Sequence, residues 1–384
     1  MSRPEAVAPT QVVRAHGVDG LATDPDWPPL TSAEVGEIVT RVADPDHAAR
    51  IVWHSPRPLS AAALVQTAST RLFIKRHHVS VRTPATLGEE HRFMQHLRAA
   101  GMPVPQVLHD ADGQTALRRG DWVFEVHAQL AGTDLYRDLQ SWSPLPRCAH
   151  ARAAGRALAR LHAAAAEYRA PQRSTHILVT RDDLLRAADP VAALTAQLCE
   201  RPGLAGFLRP ISWQDALHSV IVPLQQRAQA RIARQDRLWT HNDWHASNLA
   251  WSGPGADADV TSAFDFGLAS PTFALFDLAT AIERNAIAWL RLDLGAGAVH
   301  TDIALALIQG YRELRALAAA DLQLLADLLP VVHVDFALSE VEYFHAITGS
   351  PANAKVAWHT FLLGHARWFD SAPGRALLDA IAAA

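Results

Sequence analysis

Within residues 240–267 the chain places three oxygen-bearing side chains, Asp243, Asn248 and Asp265, in an order that suits phosphoryl transfer. The run Thr240-His241-Asn242-Asp243-Trp244-His245-Ala246-Ser247-Asn248-Leu249 fits H-x-D-x-x-x-x-N, and Ala263-Phe264-Asp265-Phe266-Gly267 supplies D-F-G after an intervening turn. Such a transfer asks little covalent chemistry of a protein. It needs divalent cations to neutralise phosphate oxygens and one group to orient the attacking hydroxyl. Asp243 is the group expected to take or orient the hydroxyl proton. Asn248 and Asp265 offer the hard oxygens that Mg²⁺ prefers. His241 is expected to brace the loop.

Asp and Asn taken singly often cap turns, so the weight lies on the joint pattern. A second chemistry competes for the same residues. His241, Asp243 and His245 alternate and would share one face of a strand, a spacing usable for zinc or iron with Asp265 as fourth ligand. Against such a metal-dependent hydrolase stand the lack of H-E-x-x-H and of any nearby cysteine. His245 then reads as a loop residue near the phosphates.

The elements around this stretch change texture along the chain. Pro4, Pro9, Pro25, Pro28 and Pro29 mark residues 1–30 as a flexible arm. Thr31-Ser32-Ala33-Glu34 opens a capped helix through Val35, Ile38, Val39 and Val42. Ile51–His54, Ala61–Thr67, Arg71–Arg76, Val104–His109 and Trp122–Leu130 read as short strands. A helix over Thr86–Ala100 lies between the third and fourth of these, stopped by Gly101 and Pro103. Residues 31–130 therefore form a small sheet-based lobe, and residues 131–384 a helical lobe with a strand–loop–strand passage at Trp239–Phe266. After that passage Phe273–Leu290, Thr301–Leu317, Asp321–Thr348 and Ala354–Phe369 read as helices. The fold class is α+β and bilobal.

Composition narrows the function. The chain has 384 residues, 49% hydrophobic, which is enough for two packed lobes around a sizeable core. A net charge of −4 with 19% charged residues supplies no basic field for nucleic acid and no polybasic patch for a membrane. Cys148 and Cys199 form no CxxC, and residues 1–30 lack a signal-peptide stretch, so a reduced, cytoplasmic protein is expected. Asp321, Asp327 and Asp335 interrupt the most apolar later segment. Lys75 and Lys355 are the two lysines among 35 basic side chains, so a lysine in this chain asks for a reason.

The catalytic-loop stretch resembles the aminoglycoside phosphotransferase and choline kinase-like family, whose loop reads H-G-D-x-H-x-x-N and is followed by I-D-[FW]-G and D-L-A. Here the counterparts are His241–Asn248, Phe264–Gly267 and Asp277-Leu278-Ala279. The resemblance implies a protein-kinase-like fold, use of ATP with Mg²⁺, and a supporting role for Asp277 at a helix start. It implies that Lys75, in Leu72-Phe73-Ile74-Lys75-Arg76, holds the α- and β-phosphates as a compact point charge. Glu90 is its implied helix partner, with Glu89 as the fallback. Ala128–Gly132 resembles the hinge that receives adenine, and Gly155–His162 resembles the G-x-x-L-A-x-L-H helix. One departure stands out. The loop Ser55-Pro56-Arg57-Pro58-Leu59-Ser60 contains no glycine where kinases drape a glycine-rich loop over phosphates. Ser55, Ser60 or Arg57 would then contact phosphate through side chains, and ATP and GTP both stay open.

The family binds its acceptor between the catalytic loop and the C-terminal helices, which offer Glu283, Asp335, Glu340, Glu342, Trp289, Tyr343, Phe344 and Trp358. Glu283, Asp335, Glu342 and Tyr343 are the acceptor residues this implies, and acidic plus aromatic lining suits an amino-sugar, a choline-like alcohol or another cation. Three classes follow: a small-molecule kinase, a bacterial protein Ser/Thr kinase of similar build, and a nucleotide-binding pseudoenzyme. H-N-D in place of H-R-D and the lack of A-P-E argue against the second. The third is disfavoured because no catalytic position is substituted.

Overall fold

Thr31 starts the first helix through a reciprocal box. Its hydroxyl accepts from the Glu34 N–H at 3.2 Å while Glu34 Oε2 accepts from the Thr31 N–H at 2.9 Å. The computed structural model describes residues 25–42, 49–137, 139 and 142–384. Helix α1 (Ser32–Val42) buries Val35, Ile38 and Val39 against a sheet built from β1 (Arg50–His54), β2 (Ala61–Gln66) and β3 (Arg71–His78). Helix α2 (Pro84–Ala99) follows, capped by Thr83 with Thr86 in a second reciprocal box. Strands β4 (Leu117–Arg119) and β5 (Trp122–Ala128) complete an antiparallel sheet of order β1-β2-β3-β5-β4.

Two details of this lobe differ from the sequence reading. Val104–His109 is not a strand. It makes one bridge, Val107 to His127, because Pro103 and Pro105 have no N–H to give a ladder. The fifth strand is the short β4. Of the arm read at residues 1–30, residues 1–24 lie outside the described residues. Residues 25–30 are packed in place rather than free: Leu30 is buried, Trp27 stacks on His78 at 5.1 Å, and Arg76 Nη2 donates to the Pro28 carbonyl at 2.5 Å.

The helical lobe begins with α3 (Cys148–Ala164), then α4 (Asp183–Arg186), α5 (Pro190–Gln197), α6 (Pro202–Leu208) and α7 (Trp213–Ile232). Its loop-rich centre holds β6 (Leu238–Thr240), β7 (Leu249–Trp251), β8 (Val260–Ala263) and β9 (Ser270–Thr272), paired β6 with β9 and β7 with β8. Helices α8 (Ala274–Ala286), α9 (Thr301–Arg312), α10 (Ala319–Leu328) and α11 (Val334–Glu342) come next, followed by α12 (Pro351–Val356), α13 (His365–Trp368) and α14 (Ala372–Ala382). The helix read over Asp321–Thr348 is broken at Leu329–His333. Pro330 lies there and cannot carry a helix through. Wide π turns at Tyr343–Ile347 and Ala357–Gly364 extend α11 and α12. The lobe's core packs α3 against α9 so closely that a Cβ on Gly155 would lie 2.0 Å from the Leu307 carbonyl oxygen.

Candidate active site

Helix α8 is the brace from which the loop at 241–248 hangs. Its first turn carries Asp277, fully buried, whose Oδ2 accepts from the His241 N–H at 2.9 Å and whose Oδ1 accepts from the Asn242 N–H at 2.8 Å. His162 of α3 adds a third bond, Nε2 to Oδ2 at 3.0 Å, and is itself held by the Tyr311 hydroxyl at 2.8 Å. Two turns further along α8, Asn285 accepts from the Ala246 N–H at 3.0 Å and donates to the Trp244 carbonyl at 2.8 Å. Both ends of the loop are thus fixed by one rigid helix.

Asn242 stands where the family loop carries glycine, and its φ of +61° shows why the choice is narrow. Asn tolerates the left-handed region better than other side chains. Its amide also pays for itself here, bonding Thr240, Thr272 and Ser270 across β6 and β9. His241 works inside the loop. Nδ1 accepts from the Asp243 N–H at 3.2 Å, so Nε2 carries the proton and donates to the Phe264 carbonyl at 3.0 Å. With both nitrogens committed, the His241, Asp243 and His245 metal set is not formed. His245 instead bonds Ser247 through Nδ1 at 2.9 Å.

Asp243 points into the cleft between Asn248 and Arg284. Asn248 Nδ2 donates to its Oδ2 at 3.0 Å, and Arg284 Nη1 lies 2.7 Å from Oδ1 as an ion pair. Burial works to raise this carboxyl, but Arg284, His245 and His241 outweigh it and hold it well below the usual carboxylate range. With Nδ2 given to Asp243, the Asn248 Oδ1 is the atom left for a cation. Asp265 adopts φ +61° and opens to the cleft, its side chain 39% exposed, with Lys75 Nζ 2.9 Å from Oδ1. Burial and Lys75 act in opposite senses on it, and Lys75 prevails, lowering its pKa.

The expected Lys75–Glu90 pair is not made. Lys75 ion-pairs with Asp265, while Glu90 lies 3.5 Å from Arg173 and leaves Oε2 buried without a hydrogen-bond partner. The fallback, Glu89, also turns to Arg173, at 3.2 Å. Directly across the sheet from Lys75 is Glu125 of β5, a carboxylate that the sequence reading did not single out. Burial tends to lower the ammonium pKa, but Asp265, Glu125 and Glu90 hold it above its ordinary value.

The glycine-free loop between β1 and β2 is tied down from both sides. The Ser55 hydroxyl accepts from the Arg57 N–H at 3.3 Å, so it caps its own turn, and Ser60 is half-buried. Arg57 Nη2 donates to the Leu139 carbonyl at 2.8 Å; burial, then Arg284 and Arg57, lower the His245 pKa against the pull of Asp243. Asp26 N–H donates to the Pro58 carbonyl at 3.0 Å. At the hinge Gly132 has φ +116°, and a Cβ there would lie 2.3 Å from Thr261 Oγ1.

Of the acceptor residues, Glu283 comes nearest the site: it precedes Arg284 on α8, is buried, and feels Asp243 electrostatically. Glu342 and Tyr343 are already engaged. Glu342 pairs with Arg201 at 2.8 Å, while the Tyr343 hydroxyl donates to Asp26 at 2.9 Å and accepts from Trp27 Nε1 at 2.9 Å. Asp335 is buried with both oxygens unbonded, and its charged neighbours are Arg201, Asp183 and Arg181 rather than Asp243. Glu340 lies five residues on, about 140° around the same helix, and its neighbours are Arg284, Asp26, Asp243 and Glu283. Burial pushes its carboxyl up to about 8. Arg284 and Asn285 were missed by the sequence reading; their spacing of seven and eight from Asp277 puts all three on one face of α8.

Comparison with known proteins shows the family and the fold. Residues 59–317 match the phosphotransferase enzyme family. A protein of Deinococcus radiodurans described as uncharacterized is 28% identical over 275 residues, covering 69% of this chain and 70% of that one. Among solved structures, a microcompartment-associated aminopropanol kinase superposes with TM-score 0.56 at 17% identity, over 90% of this chain and 100% of that one. An amicoumacin kinase in complex with AMP-PNP, Ca²⁺ and Ami superposes with TM-score 0.57 at 12% identity, over 91% and 94%. At such identities the structural likeness shows the fold, which is bilobal and kinase-like.

Proposed function

The chain belongs to the phosphotransferase enzyme family, and from that premise we propose that it moves the γ-phosphoryl group of ATP, with Mg²⁺, to a hydroxyl of a small cationic alcohol such as an amino-sugar. The observation that carries the reading is the convergence of Asp243, Asn248 and Asp265 on one cleft floor with Lys75 above it. Asn248 Oδ1 and the Asp265 carboxylate are hard oxygens suited to Mg²⁺, which supplies charge neutralisation to the phosphates when bound.

Asp243, ionised throughout the neutral range, accepts a hydrogen bond from the acceptor hydroxyl and aims its lone pair. A strongly acidic carboxyl is a weak base, which suits a loose transition state in which the hydroxyl proton leaves late. Arg284 pairs with Asp243 Oδ1, so in this reading Oδ2, shared with Asn248, is the oxygen that takes the hydrogen bond of the acceptor hydroxyl. Lys75 exchanges Asp265 for phosphate oxygens when nucleotide enters. Arg57, whose charge reaches His245, is the side chain of the glycine-free loop that would turn from the Leu139 carbonyl to the phosphates. Glu283 and Glu340, both buried near Asp243, are the carboxyl groups that would meet a positive group on the acceptor, Glu340 as a carboxylate once its proton is lost.

The test is incubation of the protein with ATP, Mg²⁺ and a panel of amino-sugars, aminoglycosides, choline-like alcohols, hydroxyl amino acids and neutral polyols, with mass detection of added phosphate. Turnover of cationic members is expected, and its loss in Asp243→Asn. Turnover of neutral polyols alone would overturn the cationic acceptor, and undiminished turnover in Asp243→Asn would overturn the assignment of the hydroxyl-orienting group.

A further inference from the structure

Beside Lys75, on the same face of the sheet, three histidines close on one buried carboxylate. Glu125 Oε2 lies 2.9 Å from His91 Nε2 and 2.8 Å from His127 Nε2, and its Oε1 lies 2.9 Å from His77 Nε2. Phosphoryl transfer calls on none of these histidines. They arrive from three elements, β3, α2 and β5, and Glu125 and His91 are each about 1% exposed.

We propose that His91, His127 and Glu125 form a binding site for a transition-metal dication of the zinc type, distinct from the Mg²⁺ set at Asn248 and Asp265. The three ligand atoms lie within 4.8 Å of one another. In a tetrahedral zinc site, with ligands about 2.0–2.2 Å from the metal, neighbouring ligand atoms stand roughly 3.3 Å apart. The Glu125 Oε2 contacts at 2.9 and 2.8 Å therefore need only a small outward movement, and the two imidazole nitrogens lie no more than 4.8 Å apart. Two imidazoles and one carboxylate select zinc-like ions over Mg²⁺, which takes oxygen ligands.

The atoms behind the ligands are arranged as such a site requires. His91 Nδ1 is 2.9 Å from Thr115 Oγ1, a contact that accommodates Nδ1–H and frees the Nε2 lone pair for a metal. His77 occupies the second carboxylate oxygen and fixes the orientation of Glu125. A metal here would clamp α2 to the sheet and hold Glu125 rigid opposite Lys75, its cross-strand neighbour.

The test uses the full chain, purified without an affinity tag and dialysed against metal-free buffer, then analysed for metal by mass spectrometry. About one equivalent of zinc per chain is expected, either as purified or after zinc addition, with loss in His91→Ala and Glu125→Gln. Because those variants also remove buried hydrogen bonds from the core, the wild-type chain is titrated as well with Co²⁺, whose visible absorption reports imidazole ligation. Thr115→Val, which keeps all three ligands, is expected to weaken zinc roughly 10-fold or more. Less than about a tenth of an equivalent in wild type, with no Co²⁺ spectrum and no change in melting temperature on adding zinc or a chelator, would overturn the proposal. The histidines would then serve as hydrogen-bond donors to a buried carboxylate. None of these readouts depends on phosphoryl transfer, so the failure of one reading leaves the other standing.

Discussion

Asp243 sits in contact with Arg284, Asn248 and the backbone of its own loop, so its replacement touches both chemistry and stability. Asp243→Asn keeps the shape and is expected to lower kcat about 10²–10⁴-fold while the protein stays folded, with a lower melting temperature because Arg284 loses its partner. A KM that rose alone, with kcat intact, would assign Asp243 to binding rather than to the reaction. Glu340 yields a different signature. Its carboxyl is pushed up to about 8 by burial, so it is largely protonated at pH 7 and charged at pH 9. For an acceptor whose positive charge does not titrate, KM is expected to fall as pH rises from 7 to 9. Glu340→Gln should flatten that dependence, measured as KM against pH at saturating ATP.

At the scale of elements, α8 does the positioning. Asp277 gathers two loop N–H groups and the His162 ring, so Asp277→Ala would strand three buried donors and is expected to cost roughly 3 kcal/mol or more. Urea unfolding would give the loss, and kcat should fall with it because the loop is released. The pairing of α3 with α9 is a second constraint. Gly155 and Gly310 let the two helices touch backbone to backbone: a Cβ on Gly310 would lie 1.8 Å from the Arg152 carbonyl oxygen. Gly155→Ala, harmless to helix propensity, is expected to destabilise by about 1–3 kcal/mol through that contact. An unchanged unfolding midpoint would show that the helices can part at no cost.

Over the whole molecule, the segment ahead of the family match links the two lobes. Trp27 packs between His78 and Trp122 of the sheet lobe and bonds Tyr343 of the helical lobe, while Asp26 reaches both Pro58 and Tyr343. Tyr343→Phe removes the shared hydroxyl and is expected to cost roughly 1–2 kcal/mol in denaturant unfolding.

Stability should also follow pH in a defined way. Burial raises Asp335 to about 7 and Glu340 to about 8, so the folded state holds more protons than the unfolded one up to that range, and stability falls as pH rises. Buried His333 and His365, lowered to about 4 and about 3, act in the opposite sense but only below the ordinary histidine range. Asp243 and Asp265, held low, lose their contribution only in acid. Between about pH 6.5 and 8.5 the raised carboxyls therefore decide, and the unfolding midpoint is expected to drop across that window.

How much of this was legible in advance depended on distance along the chain. The catalytic stretch was readable because its chemistry is local: Asp243 to Asn248 is one loop, Asp265 follows one hairpin later, and side-chain type and spacing determine what such a loop can hold. Most strands of the sheet and most helices were readable for the same reason, through periodicity and the cap at Thr31; Val104–His109 was not, because the prolines beside it withhold ladder donors. What only the tertiary structure decided is which distant groups meet them. Arg284 faces Asp243, Asp265 rather than Glu90 takes Lys75, Glu340 rather than Asp335 turns to the site, and Tyr343 is taken by Asp26 and Trp27. Each is a contact between residues far apart in sequence, set by how whole elements pack and rotate. No local spacing encodes that.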